Sequence, residues 1–359
     1  MLYGTRDSRE DMDERTRITC ASIDGFEDAL TADLDTVPVR LVREADEALT
    51  VRLDGWRAAA EVDPVSEAEA DEHFEVILSE ARLIKDSFEL DELRQACAHS
   101  AVGFTAVVAD LPEAVRRGRG ERWVEGVFGL HARHLGNAVG YDTIAAAGDH
   151  ANTLPWMRND GELREGELLL LDAGVEADSL YTADITRTLP VSGKFSPTQR
   201  QVYTAVLEAQ AAGFAAAKPG NRFSDVHAAA VAVVVRHLAE WGLLPVSVEE
   251  SLDPVNGGQH RRWMVHGTSH HLGLDVHDCA KARQENYRDA ILQPGMVITV
   301  EPGLYFKATD LLVPEEFRGI GVRIEDDVVI TESGCEILSS HLPRDPDAVE
   351  AWIAEVWAR

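Results

Sequence analysis

The stretch His266-Gly267-Thr268-Ser269-His270-His271-Leu272-Gly273-Leu274-Asp275-Val276-His277-Asp278 places four imidazoles and two carboxylates within thirteen residues. A single histidine in an apolar run is usually a packed core residue. Several histidines beside carboxylates and glycine turns are instead typical of a metal or proton-transfer site. The stretch therefore predicts such a site, and the remaining ligands must come from other parts of the chain.

The composition indicates an ordinary globular protein and limits its partners. The chain has 359 residues, of which 45% are hydrophobic, and this is enough for a large core. Its formal net charge of −29 argues against binding to nucleic acid or to anionic membranes, because both require clustered lysine and arginine. We expect neither partner.

The beginning of the chain and its cysteines favour a cytoplasmic location. Residues 1–17 are charged throughout and lack the apolar stretch of a secretory signal. The four cysteines lie far apart and show no CxxC spacing, which fits a reducing compartment better than a disulfide framework. Although Cys279 directly follows His277-Asp278, we expect it to be a buried apolar residue.

The sequence pattern changes near residue 85. Residues 1–84 are acid-rich and weakly patterned, with β-like runs at 37–42 and 49–53 that predict a small α/β domain. Asp86 and Glu89 then begin a helix whose apolar residues recur at helical spacing, and Pro112 is expected to end it. We therefore predict an N-terminal domain of residues 1–84 and a catalytic domain of residues 85–359.

The predicted second domain contains a weak internal repetition. The helix that begins at Asp86, a second helix at 121–135 and strand-like segments come first. Two helices, at 196–218 and 224–241, and further strands follow. This order of helix, helix and strands occurs twice without clear residue identity. It predicts an α/β fold of two half-domains related by a pseudo-twofold axis around one sheet.

Four carboxylates lie in or beside strands that look buried. Asp172 ends the apolar run 168–171, and Asp184 lies in the strand-like segment 181–190. If these two strands pair antiparallel, both aspartates can point into one cleft. Glu301 and Glu325 lie in two further strand-like segments, where a carboxylate needs a partner or an ion.

Charge balance favours two metal ions over one. Four carboxylates around a single divalent ion would leave a large negative charge at low dielectric, whereas two divalent ions balance it. Oxygen ligands with one imidazole suit Mn²⁺, Fe²⁺, Co²⁺ or Zn²⁺. Two such ions can hold a bridging water, lower its pKa and promote hydrolysis. The alternative, scattered surface acids, does not explain why each lies beside a strand.

These motifs resemble those of a known family. The segments are LDAG (171–174), TADITRT (182–188), HGTSH (266–270), GLDVHD (273–278), TVEPG (299–303) and GVRIE (321–325). They are similar to segments of the Xaa-Pro aminopeptidase (aminopeptidase P) and prolidase family, and they occur in the same order over about residues 85–359. The resemblance implies the pita-bread fold, which that family shares with methionine aminopeptidase and creatinase.

The resemblance also implies residue roles. The implied ligands of two metal ions, usually manganese, are Asp172, Asp184, His270, Glu301 and Glu325, with Asp184 and Glu325 as bridges. His266 and His277 are implied to contact the substrate and the tetrahedral intermediate. Glu301 also handles the proton of the nucleophilic water, and Arg323 orients substrate and ligands. His271 has no implied role. The N-terminal domain of relatives builds dimer contacts, so we expect a homodimer.

The sequence departs from the family at three places. The spacing from Asp172 to Asp184 is one residue longer than in many relatives, which a hairpin loop can absorb. The region 1–84 is shorter than the usual N-terminal domain. Pro155 lies where the family's peptidases carry a substrate-contacting histidine, and proline can neither donate a hydrogen bond nor relay a proton.

The residues and the resemblance together predict a dinuclear metallohydrolase that cleaves the bond before proline in a short peptide through a metal-bridging hydroxide. It would act as an aminopeptidase or as a dipeptidase. Because of Pro155 and the short N-terminal domain, two alternatives stay open. One is a hydrolase of the same fold that acts on another peptide-like small molecule. The other is a catalytically weak binding or scaffold protein, against which the retention of four costly carboxylates argues.

Overall fold

The computed structural model describes residues 6–43 and 45–359. The helices are α1 (Arg9–Thr16), α2 (Phe26–Thr31), α3 (Glu47–Ala59), α4 (Pro64–Ala81), α5 (Ser87–Arg117), α6 (Gly120–Leu135), α7 (Pro197–Ala216), α8 (Phe223–Glu240), α9 (Val248–Leu252) and α10 (Pro346–Trp357). The strands are β1 (Ala138–Val139), β2 (Ile144–Ala147), β3 (Leu168–Ala173), β4 (Val175–Glu176), β5 (Ile185–Pro190), β6 (Val297–Val300), β7 (Gly303–Phe306), β8 (Ile320–Arg323), β9 (Asp326–Ile330) and β10 (Cys335–Ile337).

Contacts within the chain separate two units, one ending at Leu78 and the other spanning Ser79–Arg359. In the described part of the first unit, the regular elements are helices. Our prediction of strands in this region was therefore wrong. Residues 49–53 belong to α3, whose buried residues Thr50, Leu53 and Arg57 recur at helical spacing, and residues 37–42 have no regular structure.

The second unit consists of two halves of similar design. In the first half, α5 and α6 pack against the antiparallel sheet β2-β3-β5. In the second half, α7 and α8 pack against the antiparallel sheet β6-β9-β10. The predicted duplication of helix, helix and strands is confirmed, although each half carries its own three-stranded sheet.

Strand β3 explains why the run 168–171 is apolar at every position. Leu169 and Leu171 pack in the core formed with α5 and α6, whereas Leu168 packs in the core formed with α7 and α8. Because both faces of the strand are covered, none of its side chains meets solvent, and the usual alternation with polar residues is absent. Asp172, the next residue, is the first charged side chain along this strand.

The two halves meet where β5 passes the end of β8. Glu325 N donates to Thr186 O at 3.1 Å. Two residues further along β5, Thr188 Oγ1 donates to Arg323 O at 2.9 Å and accepts from Arg323 N at 3.1 Å. These bonds bring the carboxyl end of β8 beside the amino end of β5, so Asp184 and Glu325 approach each other although they are far apart in sequence.

Helix α5 continues through Pro112, so the prediction that this proline ends it was wrong. Proline lacks the N–H that would bond the carbonyl four residues earlier, which here belongs to Val108. The indole Nε1 of Trp357, in α10, donates to Val108 O at 2.7 Å. The carbonyl therefore keeps a partner, and the helix extends to Arg117. None of the described helices is both long and apolar enough to cross a membrane.

Candidate metal centre

A cavity of about 720 Å³ lies in the second unit, and both halves contribute to its walls. It is lined by every residue that the sequence singled out for a metal or catalytic role: Asp172, Asp184, His266, His270, His277, Glu301, Arg323 and Glu325. The sequence motifs, which are far apart along the chain, therefore lie close together in space.

Asp172 and Asp184 reach the cavity from β3 and from the residue before β5. The two strands pair antiparallel, with Asp172 opposite Thr186, which meets the condition under which both aspartates can point into one cleft. The phenol oxygen of Tyr141 lies 2.7 Å from Asp172 Oδ1 and 2.6 Å from Asp184 Oδ1. A phenol has one proton, so the two carboxylates share a single donor there, and their other oxygens face the remaining groups of the cluster.

The backbone orients the ring of His270. Its Nδ1 lies 3.0 Å from the carbonyl oxygen of His271, so this nitrogen donates its proton and Nε2 is left as the possible ligand atom. Nε2 lies 3.2 Å from Asp184 Oδ2 and 3.7 Å from Glu301 Oε1. A bond from His270 N to Thr299 Oγ1 at 3.1 Å fixes the backbone beside β6.

Arg323 and Glu325 complete the cluster from the opposite side. The Arg323 guanidinium contacts Asp172 Oδ2 in a short ion pair and donates to Thr186 Oγ1 at 3.0 Å. Glu325 Oε2 accepts from Thr186 Oγ1 at 2.6 Å. One ligand atom from each of Asp184, His270 and Glu325 lies within 4.8 Å of the others, which is close enough for these atoms to share one ion.

The carboxylates influence one another's protonation strongly. Burial raises the pKa of Glu301 to about 7 and that of Asp172 to about 6, and burial together with the charges of Asp184 and Glu301 raises the pKa of Glu325 well above its usual value. Burial also acts on Asp184, but the hydrogen bond and charge of His270 outweigh it and lower the pKa. Asp184 in turn raises the pKa of His270 to about 9, against the effect of burial.

These pKa shifts describe a site that suits divalent cations. Buried carboxylates with raised pKa values resist ionising together unless positive charge is close. The described residues that line the cavity include five carboxylates, the fifth being Asp142, against the guanidiniums of Arg288 and Arg323, so charge balance calls for more cation than these arginines supply. Oxygen-rich ligands with one imidazole fit a hard or borderline divalent ion, and Asp172, Asp184, His270, Glu301 and Glu325 could hold it.

Two further histidines, His266 and His277, line the cavity beside the carboxylate cluster. His266 Nδ1 lies 2.7 Å from Gly267 O, and its Nε2 lies 2.6 Å from the hydroxyl of Tyr305. Burial lowers the pKa of His266 to about 4, so its ring is neutral and can accept the Tyr305 proton. The ring of His277 meets that of His270 edge-on, with centroids 4.5 Å apart. Both rings are available to a molecule bound in the cavity.

Pro155 lies on the cavity wall and His150 does not. The His150 ring is stacked on Trp156, with centroids 3.8 Å apart, and its Nδ1 lies 2.7 Å from Glu121 Oε1. The nearby imidazole is therefore held on the far side of the wall and does not replace the one that Pro155 lacks.

Sequence reasoning missed two tyrosines. Tyr141 precedes β2 and touches two of the acids, while Tyr305, on β7, accepts from Arg323 at 3.2 Å and contacts His266. Tyr305 lies four residues after Glu301 and two residues beyond the motif at 299–303, so its position was a usable signal. Tyr141 carried no such signal in the sequence, because its contacts depend on how β2 pairs with β3.

His271 takes no part in the candidate centre. It is fully buried, stacked parallel to Phe223 with centroids 5.3 Å apart. Neither ring nitrogen has a hydrogen-bond partner among the described residues. A buried polar group without a partner costs stability, and burial accordingly lowers the pKa of this imidazole to about 3.

Replacing His271 with phenylalanine is therefore expected to stabilise the protein. The change removes two unsatisfied nitrogens and keeps an aromatic ring, so the free energy of unfolding should rise by about 1–2 kcal/mol at pH 8. In the natural chain the unfolded imidazole binds a proton near pH 6.5 and the folded one only near pH 3. Natural stability thus falls as pH drops below about 6.5, and the advantage of the variant should grow.

Urea unfolding of metal-free protein at pH 8 and pH 5.5 measures this difference. His134→Phe is the matched control, because His134 is exposed on α6. A His271→Phe variant that is less stable than the natural chain at both pH values would mean that the buried ring has a partner the structure does not reveal.

Fold and cavity together match the architecture expected of the pita-bread type, and comparison with known proteins gives the family. The model of metallopeptidase family M24 matches residues 91–332. The chain belongs to this family.

Its relatives are Xaa-Pro aminopeptidases. The chain is 54% identical over 319 residues to Xaa-Pro aminopeptidase 1 of Streptomyces coelicolor, an alignment that covers 89% of this chain and 62% of that protein. It is 41% identical over 276 residues to the Xaa-Pro aminopeptidase of Escherichia coli, covering 77% of this chain and 60% of that one. The chain thus spans less than two thirds of the length of these relatives.

Solved structures of aminopeptidase P share the fold. The aminopeptidase PepP of Pseudomonas aeruginosa superposes with a TM-score of 0.87 at 32% identity, over 100% of this chain and 80% of that one. Aminopeptidase P of E. coli, solved with the inhibitor Pro-Leu, gives 0.73 at 38% identity, over 80% and 63%. The pita-bread fold expected from the motifs is confirmed.

Proposed function

We propose that the chain is a metal-dependent Xaa-Pro aminopeptidase or dipeptidase, which hydrolyses the bond before proline in short peptides. The observation that carries the proposal is the cluster of four carboxylates, three of them buried and Glu301 partly exposed, with one oriented imidazole in the lining of a 720 Å³ cavity. Relatives named Xaa-Pro aminopeptidases, at up to 54% identity, support the substrate class.

The proposed cofactor is a pair of divalent ions, with manganese as the first candidate and Co²⁺, Zn²⁺ or Fe²⁺ as others. Asp172, Asp184, His270, Glu301 and Glu325 would hold the ions, with Asp184 and Glu325 shared between them. A zinc-substituted aminopeptidase P of E. coli has been solved with product, which supports a site that accepts more than one metal. When bound, the ions would supply an acidified water and polarise a peptide carbonyl.

The side chains of the cavity have separate proposed tasks. Glu301 Oε2, which lies 3.5 Å from His266 Nδ1, would accept the proton of the attacking water. His266 and His277 would contact the substrate and stabilise charge at the reacting carbonyl. Arg323 would hold Asp172 in place through their ion pair and keep Tyr305 oriented toward His266.

The cellular location and the oligomeric state of the chain belong to the same proposal. A cytoplasmic location is supported by cysteines that are free throughout the described chain and by a composition without clustered basic charge. A homodimer is proposed from the resemblance to the family alone.

The decisive experiment compares the natural chain with Pro155→His. Both proteins, loaded with Mn²⁺, are assayed on Xaa-Pro dipeptides and on longer Xaa-Pro peptides. We expect measurable hydrolysis by the natural chain. Because Pro155 lines the cavity from an exposed position, an imidazole there can reach substrate, and kcat should rise by about 10–100-fold.

Pro245→His is the matched control, since it adds an imidazole at an exposed proline that does not line the cavity. Equal, high activity of the natural chain and Pro155→His would make the additional imidazole dispensable. No hydrolysis by either protein, with metal bound, would refute the proposed substrate class and favour another peptide-like molecule.

A further inference from the structure

One side of the cavity is formed by residues 153–157, which we name the wall segment. It lies between β2 and β3 and has no regular secondary structure. Leu154, Pro155, Trp156 and Met157 give the cavity an apolar surface here. A segment without strand or helix bonds needs other contacts to keep one shape, because each ordered residue costs conformational entropy.

Those contacts converge on Glu121, at the start of α6. Its carboxylate is fully buried. Oε1 accepts from Ala147 N at 2.8 Å and lies 2.7 Å from His150 Nδ1, while Oε2 accepts from Trp156 Nε1 at 2.9 Å and from Gly161 N at 2.6 Å. The four donors are spread over residues 147–161, a stretch that contains the wall segment.

The packing around this carboxylate leaves little freedom. A Cβ atom on Gly161 would lie 2.8 Å from Glu121 Cδ and 2.7 Å from the His150 ring, so the loop closes directly over the acid. The stacked rings of His150 and Trp156 form its other side. Each of the four hydrogen bonds draws a different part of the loop toward α6.

We propose that Glu121 is a positioning residue for substrate binding, which holds the wall segment in the shape that the cavity presents to the peptide. Glu121 is absent from the cavity lining and acts through Trp156 and the loop backbone. The substrate part of this inference rests on the proposed function. The ordering of the wall segment does not depend on it.

The test is Glu121→Gln in the full-length, metal-loaded protein. A carboxamide has the same shape but can face only two of the four donors with its oxygen, because its NH₂ group also donates. We expect faster hydrogen exchange of backbone amides in residues 148–161. We also expect KM for an Xaa-Pro peptide to rise about tenfold with kcat within about threefold, the pattern of weakened substrate binding. Metal content should stay the same.

Glu125→Gln is the matched control. Glu125 lies one turn further along α6 and accepts one side-chain bond from the same loop, from Asn159 Nδ2 at 3.1 Å. It should leave KM and exchange near their natural values. If Glu121→Gln does not fold, Trp156→Phe removes one of the donors and keeps an aromatic ring, and a smaller change in the same direction is expected.

Three results would overturn the inference. Unchanged exchange in residues 148–161 means that Glu121 does not order the wall segment. Increased exchange with an unchanged KM means that the wall segment does not position substrate. Loss of metal with a parallel fall in kcat means a general structural role. If the natural chain hydrolyses no Xaa-Pro peptide, the proposed function fails, while the exchange measurement still decides whether Glu121 orders the wall segment.

Discussion

Asp184→Ala is expected to weaken binding of divalent metal at least about 100-fold and to lower kcat/KM by about 10³-fold or more, or about 4 kcal/mol of transition-state stabilisation. Asp184 is the carboxylate closest to the His270 ring, at 3.2 Å, and it belongs to the group of three residues whose ligand atoms lie within 4.8 Å of one another. Removing it takes one oxygen ligand from the cluster and leaves His270 without its main partner.

Metal content after dialysis and titration with Mn²⁺ measure the first effect, and hydrolysis of an Xaa-Pro peptide measures the second. Asp178→Ala serves as the control, because Asp178 is an exposed aspartate in the turn between β4 and β5. Should Asp184→Ala bind metal as well as the natural chain does, the proposed ligand set would be wrong even if activity fell.

Arg323→Met is expected to destabilise the metal-free protein by about 3–5 kcal/mol, because it leaves buried carboxylates without a counter-charge. Arg323 is 5% exposed and its guanidinium contacts Asp172, Thr186 and Tyr305. Metal ions would supply the missing positive charge. The loss of stability should therefore be much smaller, about 1–2 kcal/mol, when Mn²⁺ is saturating.

Denaturant unfolding in EDTA and in excess Mn²⁺ gives the two values. Arg236→Met is a suitable control, since Arg236 forms a solvent-exposed ion pair with Glu208 at 3.6 Å, and such pairs contribute only about 0–1 kcal/mol. Equal destabilisation with and without Mn²⁺ would show that Arg323 and the metal do not neutralise the same carboxylates.

The candidate ligand positions could be singled out from sequence because the signal is local at each of them. Asp172 directly follows a run of four leucines, and Glu301 follows a run of apolar and β-branched residues. A charge at the end of a buried strand is costly wherever the strand lies in the fold. The repetition of helices and strands followed from periodicity in the same way, whereas the antiparallel pairing of β3 with β5 entered the sequence analysis only as a condition.

Other features could not be predicted, because they arise between segments that are distant in sequence. Tyr141 and Glu121 carry no pattern of their own, and only the pairing of β2 with β3 and the fold of the following loop give them their contacts. In α3, alternation over residues 49–53 fits a strand and a helix equally well, since five residues are too few to separate the two periods.

Pro112 and Trp357 show how far a local feature can depend on a remote one. The bond from the Trp357 indole to Val108 O lets a proline occupy the middle of a long helix. The two positions are therefore coupled energetically, because without the Trp357 indole the carbonyl of Val108 would lose this partner beside Pro112. An exchange of α10 for a helix without that indole would make Pro112 more costly to α5.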